Sequence, residues 1–148
     1  MSSETRSNRM SKEAVDEFLA GSHHAVVSTI RKDGSPQVSA VWYLYENDIL
    51  YFVTMANSVK CRNLKRDPRA GICVDGGAGD YRSVMIYGSA EIRDEFDDFY
   101  RETRFRIFRR YYDSDEETRA YVEDVGSSGG GVLVIVRPNP IIGIDMSD

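Results

Sequence analysis

Three short runs rich in β-branched and aromatic residues, separated by gaps too short for a helix, constrain the fold of this chain most strongly. The runs are Ala25–Ile30, Gln37–Tyr45 and Ile49–Thr54. The first gap contains Asp33 and Gly34, and the second is Glu46–Asp48, residue types that tolerate the positive φ of tight hairpin turns. Parallel strands need a crossover of about a dozen residues or more. The runs therefore predict an antiparallel β-meander.

Further strands and a few helices are predicted along the chain. The strands are Arg69–Asp75, Tyr81–Arg93, Val132–Val136 and Ile141–Ile144. The helices are Ser11–Ala20, Asn57–Arg66, Asp94–Tyr112 and Ser114–Val125. Pro138 and Pro140 separate the last two strands and place them at an edge or a bend. Closure into a barrel removes the exposed edges of such a sheet, so we expect a mainly β (α+β) fold, a closed or half-closed antiparallel barrel with peripheral helices.

The aromatic residues of the longest predicted helix recur at spacings of three and four. Such a spacing predicts one buried helix face. The aromatics are Phe96, Phe99, Tyr100, Phe105, Phe108, Tyr111 and Tyr112. The arginines between them, Arg101, Arg104, Arg106, Arg109 and Arg110, indicate either a salt-bridged surface at the barrel rim, which we favour, or contacts to a bound ligand.

Composition limits the classes of function that this chain can have. The 148 residues, 41% of them hydrophobic, suit a single domain, with residues 1–10 as a flexible N-terminal arm and residues 11–148 as the folded part. The net charge of -5 opposes binding to nucleic acid. Two cysteines and two adjacent histidines do not supply a structural zinc site. The start lacks the apolar centre of a signal peptide, and the longest uncharged apolar run, Gly131–Val136, is too short to span a membrane, so we expect a cytoplasmic protein.

The segment Thr54–Asn63 is the most informative for function, because a strand there leads through a turn into a basic helix. Thr54 and Ser58 contribute hydroxyl groups, Lys60 and Arg62 contribute positive charge, and the first backbone N–H groups of a helix favour an anion. From Ser58 to Arg66 there are four basic residues and no acid. The pattern predicts a phosphate site, with a solvated basic helix face as the alternative.

Three segments, Val26–Tyr43, Ser58–Arg69 and Tyr81–Glu91, resemble in their order and spacing the flavin and deazaflavin oxidoreductases related to pyridoxamine 5'-phosphate oxidase. The similarity extends from about Phe18 to Asp145. It implies an FMN-binding-like split β-barrel, a homodimer whose cofactor sites lie between two subunits, and a small-molecule substrate. No side-chain nucleophile is required, because the cofactor carries the chemistry.

The resemblance also implies which residues bind the cofactor. Thr54, Ser58 and Lys60 match the positions that hold the phosphate, with Arg62 and Asn63 in the same block. Along the second strand, the positions that line the cofactor ring are Ser39, Ala40, Val41 and Trp42.

Departures from the family pattern bear on the choice of cofactor. In the oxidases themselves the second strand supplies an arginine and a lysine to the flavin, whereas this chain has Ser39 and Leu44 there, and Val59 replaces an arginine of the helix. These differences argue against pyridoxamine phosphate as the substrate. The remaining residue pattern of the block, from Lys60 to Arg69, is similar to that of the actinobacterial-type branch of the family. This branch uses the deazaflavin coenzyme F420.

The expected function is therefore F420-dependent hydride transfer to a small conjugated organic substrate. An FMN-dependent oxidase or reductase and a carrier without turnover are the alternatives.

Other residues have two interpretations each. Trp42 suits ring contact or a place in the core or dimer contact. Cys61 is expected to be a packed side chain rather than a nucleophile. His23 and His24 are expected to be exposed turn residues, with substrate contact as the alternative.

Overall fold

The helices and strands are those of a computed structural model that describes residues 8–126 and 130–147. Within these ranges the helices are Lys12–Leu19 (α1), Val59–Arg66 (α2), Asp98–Arg109 (α3) and Asp115–Gly126 (α4). The strands are Ala25–Ile30 (β1), Pro36–Val41 (β2), Leu44–Glu46 (β3), Ile49–Met55 (β4), Arg69–Asp75 (β5), Arg82–Arg93 (β6) and Gly131–Asp145 (β7). None of the helices in this part of the chain is both long and apolar enough to cross a membrane.

The seven described strands form one sheet in the order β2-β1-β5-β6-β7-β4-β3, and every neighbouring pair is antiparallel. The edge strands β2 and β3 are joined through only Trp42 and Tyr43. Because consecutive Cα atoms lie about 3.8 Å apart, this link spans at most about 11 Å. The two edges must therefore meet at this point, and the sheet curls into a split barrel. The predicted fold class, mainly β with peripheral helices, is confirmed.

The expected meander of three strands is wrong, because the run Gln37–Tyr45 forms two strands rather than one. Its halves, β2 and β3, lie at opposite edges of the sheet. At the break, Tyr43 is buried and its Oη donates to the carbonyl of Leu19 at 2.9 Å. Its backbone N–H donates to Oη of Tyr111 at 3.2 Å instead of to a strand. Contacts with distant elements thus interrupt an apolar run that looks continuous in sequence.

The last two predicted strands form a single strand, β7, which lies inside the sheet between β6 and β4. Its partner β4 reaches only Val136, so Pro138 and Pro140 lie beyond the end of that ladder. The register with β6 also shifts between Ile86 and Gly88. Prolines are tolerated here because one side of the strand needs no ladder donors. At Gly88 a Cβ atom would lie 2.3 Å from the carbonyl oxygen of Arg137, which explains the glycine.

Apolar side chains pack on both faces of the first half of β7. Val134 and Val136 join the cluster inside the barrel, which α1 and α2 help to close. Leu133 and Ile135 face the other way and pack with Tyr100 of α3. A strand that is buried on both faces reads as a continuous apolar run. The same packing attaches α3 to the outside of the barrel.

The predicted helices are confirmed, with adjusted ends and one correction. Ser11 and Ser58 are the N-caps of α1 and α2. The expected aromatic face of α3 is wrong in its membership, since Phe96 and Phe99 are 49% and 42% exposed. Asp97 is the N-cap, so the helix begins after Phe96, and a different set of its side chains faces the core. The buried residues of α3 are Tyr100, Thr103, Arg104 and Ile107, a stripe with helical spacing.

Of the predicted N-terminal arm, residues 1–10, the first seven lie outside the described part of the chain. Its last part is hydrogen-bonded to β7. The N–H of Met10 donates to the carbonyl of Gly143 at 2.9 Å, and the N–H of Asp145 donates to the carbonyl of Asn8 at 2.9 Å. These two bonds attach the chain before α1 to the open side of the last strand.

Candidate functional site

A cleft of about 380 Å³ lies where β2 and β4 end, beside the start of α2 and the α3–α4 hairpin. It brings together five of the nine predicted site residues. They are Ala40, Val41, Trp42, Thr54 and Lys60. The lining is completed by His24, Val53, Met55, Phe108 and Tyr121. Two predicted segments, the second strand and Thr54–Asn63, therefore meet at one place.

One end of the cleft, here called the anion end, consists of Thr54, Ser58 and Lys60. Ser58 Oγ accepts hydrogen bonds from the N–H of Cys61 at 3.1 Å and from Oγ1 of Thr54 at 3.0 Å. The cap leaves the N–H groups of Val59 and Lys60 without intrahelical acceptors. Ser58 does not line the cleft itself, but it holds Thr54, which does. The arrangement suits an anion at the start of α2.

Lys60 is the distinctive charge of the anion end. Its side chain is half-buried, and within the described residues it forms no hydrogen bond or ion pair. Burial lowers its pKa from the ordinary value for a lysine. No acidic side chain lines the cleft among the described residues, although the protein is acidic overall. A bound anion would offset the cost of burying this ammonium group.

The middle of the cleft is a flat apolar surface from two strands. Alternation along β2 exposes Ala40 and turns Ser39 and Val41 to the other face. Val41 still lines the cleft, whereas Ser39 does not. Ser39 Oγ is buried and has no hydrogen-bond partner in the described part of the chain. The apolar lining here thus consists of Ala40, Val41 and Trp42 together with Val53 and Met55 of β4.

The other end of the cleft, here called the aromatic end, consists of Trp42, Phe108 and Tyr121. The Trp42 ring meets Phe108 edge-on at 5.8 Å, and Phe108 meets Tyr121 at 5.1 Å. The Trp42 ring also stacks on the ring of Tyr111, with their centroids 4.7 Å apart. Phe108 was expected on a buried helix face, and Tyr121 was not among the predicted residues. The aromatic spacing was the available signal, but it does not show that α3 and α4 pack at the cleft.

The structure does not bring Arg62 and Asn63 to the cleft. Arg62 is exposed on α2. Asn63 is 4% exposed, and its Nδ2 donates to Oγ1 of Thr29 at 3.0 Å. Its Oδ1 accepts from Nη2 of Arg66 at 3.0 Å. The Asn63 side chain thereby connects α2 to β1.

The remaining sequence predictions have mixed outcomes. Cys61 is buried, and burial raises the pKa of its thiol, which agrees with a packed side chain. The expected salt-bridged arginine surface is confirmed for three pairs: Arg101 with Asp98, Arg106 with Glu46 and Arg109 with Asp115.

Two arginines of that set serve other purposes. Arg104 is 6% exposed and donates to the carbonyl of Val122 in α4 at 3.4 Å. Arg110 donates to the carbonyls at the end of α1, including that of Gly21 at 2.6 Å. The expectation of surface ion pairs is wrong for both, because they bind backbone carbonyls.

A larger groove of about 800 Å³ crosses the outer face of the sheet. Its two arginines are already paired, Arg69 with Asp67 at 2.7 Å and Arg137 with Glu91 at 2.8 Å. The groove therefore offers no unpaired cation comparable to Lys60. We take the smaller cleft as the candidate site on this chemical ground.

Comparison with known proteins finds a family match over most of the chain. A family model described as pyridoxamine 5'-phosphate oxidase matches residues 11–126. The chain belongs to this family. The match covers the cleft residues of β2, β4, α2, α3 and α4, and it confirms the resemblance seen in the sequence.

Several solved structures are similar to this member of the pyridoxamine 5'-phosphate oxidase family. A conserved hypothetical protein from Mycobacterium tuberculosis has 28% identity and a TM-score of 0.78, covering 97% of this chain and 90% of its own. A protein described as an F420 reductase has 25% identity and a TM-score of 0.67, covering 85% and 94%. An FAD-binding protein from Mesorhizobium loti, with 19% identity, a TM-score of 0.70 and coverage of 94% and 97%, shares the fold.

Proposed function

We propose that this protein is an F420-dependent oxidoreductase that transfers hydride to a small conjugated organic substrate. The observation that carries the proposal is Lys60, a half-buried lysine without an acidic partner in the described chain, at one end of a cleft whose middle is flat and apolar. A cofactor with a ribityl-type phosphate joined to a planar ring matches an anion end followed by an apolar middle. The residues present thus fit such a cofactor.

Each group of residues has a distinct part in this proposal. Thr54 and Lys60 bind the phosphate, and Ser58 holds Thr54 in place by accepting a hydrogen bond from its hydroxyl. The exposed Arg62 lies on the same helix, where it suits the longer anionic tail of F420. Ala40, Val41 and Trp42 orient the ring. Phe108 and Tyr121 exclude water from its far end. When bound, the reduced coenzyme supplies a hydride, so the protein contributes mainly orientation and a dry site.

The preference for F420 over FMN depends on the absence of cations beside the ring. Leu44, where the oxidases have a basic residue, is buried in the core. Val59 is 44% exposed but carries no charge. The similarity to an F420 reductase supports the same choice. FMN is the second candidate, because its phosphate suits the same anion end.

The test is a pair of titrations followed by the fluorescence of Trp42, the single tryptophan of the chain. We expect F420 to bind more tightly than FMN. Stoichiometric copurification of FMN without measurable F420 affinity would reverse the choice of cofactor. Turnover is tested by mixing the complex of reduced F420 with a panel of enones and quinones. Tight binding without oxidation of the coenzyme by any acceptor would identify a carrier.

We also propose a homodimer in which the second copy covers the outer face of β1 and β2. Val26 and Val38 on this face are 45% and 62% exposed. Val26 is the direct cross-strand neighbour of Ala40, which lines the cleft. A second copy on this face would therefore lie beside the cofactor. Sedimentation should report about twice 16.8 kDa, and a monomer that binds cofactor tightly would contradict this.

A further inference from the structure

The two histidines of the chain are adjacent in sequence but have different surroundings. His23 stacks on Phe18, with ring centroids 4.4 Å apart and an interplanar angle of 19°. His24 is exposed and lines the cleft. Its ring lies 6.1 Å from that of Tyr111, the residue that stacks on Trp42. Only His24 therefore faces the candidate site.

The backbone before His24 is held by several hydrogen bonds. Oη of Tyr111 donates to the carbonyl of His23 at 2.6 Å. Arg110 donates to the carbonyl of Gly21 at 2.6 Å, and Oη of Tyr43 donates to the same oxygen at 3.2 Å. Ala25, directly after His24, pairs with Val41 across β1 and β2. These bonds keep His24 beside the strand that lines the middle of the cleft.

The side chains with nitrogen or oxygen atoms that line the described cleft divide between its two ends. Thr54 and Lys60 belong to the anion end, while His24, Trp42 and Tyr121 lie with the aromatic end. The indole N–H of Trp42 is a hydrogen-bond donor only. In the described part of the chain, the imidazole of His24 has no hydrogen-bond partner. An imidazole accepts and releases protons near neutral pH more readily than a phenol does. His24 is thus the better acid at this end.

We propose that His24 is the proton donor that accompanies hydride transfer in this cleft. The inference rests on the proposed function. With the reduced coenzyme bound, the C–H bond that carries its hydride would break as a new C–H bond forms at the β-carbon of a conjugated carbonyl substrate. The electron pair of the C=C bond moves toward the carbonyl, and the imidazolium N–H proton goes to the resulting enolate. The substrate gains two electrons and two hydrogens, the coenzyme is oxidised, and solvent reprotonates the imidazole.

Few charged or titratable groups surround His24 in the described residues. The ring of Tyr111, at the end of α3, lies 6.1 Å from that of His24, while Tyr121 of α4 and Lys60 of α2 line the same cleft. Burial raises the pKa of the Tyr111 hydroxyl. No carboxylate lines the cleft in this part of the structure. A bound substrate oxygen would therefore meet His24 without competition from an acidic side chain.

The first test is chemical and does not depend on turnover. The single variants His23→Gln and His24→Gln each leave one histidine, whose modification by diethylpyrocarbonate is followed by absorbance and mass spectrometry. We expect saturating F420 to slow modification of His24 in His23→Gln at least about fivefold. His23 in His24→Gln should react at the same rate with and without F420. Equal rates for His24 with and without F420 would overturn the proposal.

The second test measures turnover with reduced F420 and benzylideneacetone, a conjugated ketone. His24→Gln should lower kcat by about 100-fold or more, the usual contribution of a general acid, with an unchanged dissociation constant for F420. His23→Gln should leave both quantities unchanged. A kcat of His24→Gln equal to that of the unmodified protein would overturn the proton-donor role alone. If the unmodified protein binds F420 but reduces no acceptor, the proposed function fails as well.

Discussion

The anion end of the cleft comes from a few consecutive residues, Thr54 to Lys60, whereas the aromatic end comes from Trp42, Phe108 and Tyr121 on separate parts of the chain. At the anion end, a cap hydroxyl, helix N–H groups and a lysine follow one another along the backbone. At the aromatic end, ring contacts such as that of Trp42 with Phe108 exist only after the α3–α4 hairpin has packed. The first end is local and electrostatic, and the second is nonlocal and apolar.

The largest expected effect is at the anion end. Lys60→Ala should weaken cofactor binding about tenfold to hundredfold, because a charge-assisted contact contributes about 1.5 to 3 kcal/mol. The melting temperature should change little, since surface helix substitutions usually alter stability by less than about 0.5 kcal/mol. Fluorescence titration and thermal melts measure the two quantities.

Lys65→Ala is the matched control, because Lys65 is exposed on the same helix and does not line the cleft. It should bind cofactor like the unmodified protein. If Lys60→Ala also binds cofactor with normal affinity, α2 presents only a solvated basic face. The proposed position of the phosphate is then wrong.

Asn63→Ala separates a structural contact from a cofactor contact. The buried Asn63 amide bonds to Thr29 and Arg66, so its loss should lower the free energy of unfolding by about 1 to 3 kcal/mol. Cofactor affinity, measured well below the melting temperature, should stay within about twofold. Lys65→Ala, exposed on the same helix and outside the cleft lining, controls for general effects on α2. A loss of affinity at unchanged stability would return Asn63 to the list of cofactor contacts.

Phe108→Leu tests the aromatic end. The substitution removes ring contacts with Trp42 and Tyr121, and aromatic pairs contribute about 0.5 to 1.5 kcal/mol each. We expect binding to weaken by about two- to tenfold, equally at low and high salt. The loss caused by Lys60→Ala should shrink as salt increases, because ions screen charge. Phe105→Leu, on the same helix but outside the cleft lining, should have no effect on affinity. A salt-dependent effect at Phe108 would contradict the division between the two ends.

The smallest expected effect is a pH dependence of cofactor binding. Burial lowers the pKa of Lys60, and a bound phosphate should raise it again. Because the charged form binds, affinity should be constant at low pH and fall as pH rises through the pKa of the free protein. The fall should begin at a lower pH than for an ordinary lysine, whose pKa is about 10.4, and titrations over a range of pH values would measure it. Lys60→Arg should bind equally across this range, and persistence of the dependence in that variant would assign it to another group.

How well the site could be predicted from the sequence also differs between the local anion end and the nonlocal aromatic end. Thr54, Ser58 and Lys60 were found from residue types at short spacing, and the structure brings them together at the start of α2. Ser39 was expected on the ring, but strand alternation turns it away from Ala40. Tyr121 was missed because nothing near it in sequence reveals its contact with Phe108.

The sequence alone determined the elements whose signals are local. Ser11 and Ser58 cap their helices, and hairpin turns lie between β1 and β2 and between β3 and β4, because these choices depend on hydrogen bonds within a few residues. Only the tertiary structure decided that Trp42 and Tyr43 divide an apolar run between two opposite sheet edges. That break depends on hydrogen bonds from Tyr43 to Leu19 and Tyr111, residues far away in the chain. Strand alternation and capping are properties of neighbours, whereas sheet closure is a property of distant partners.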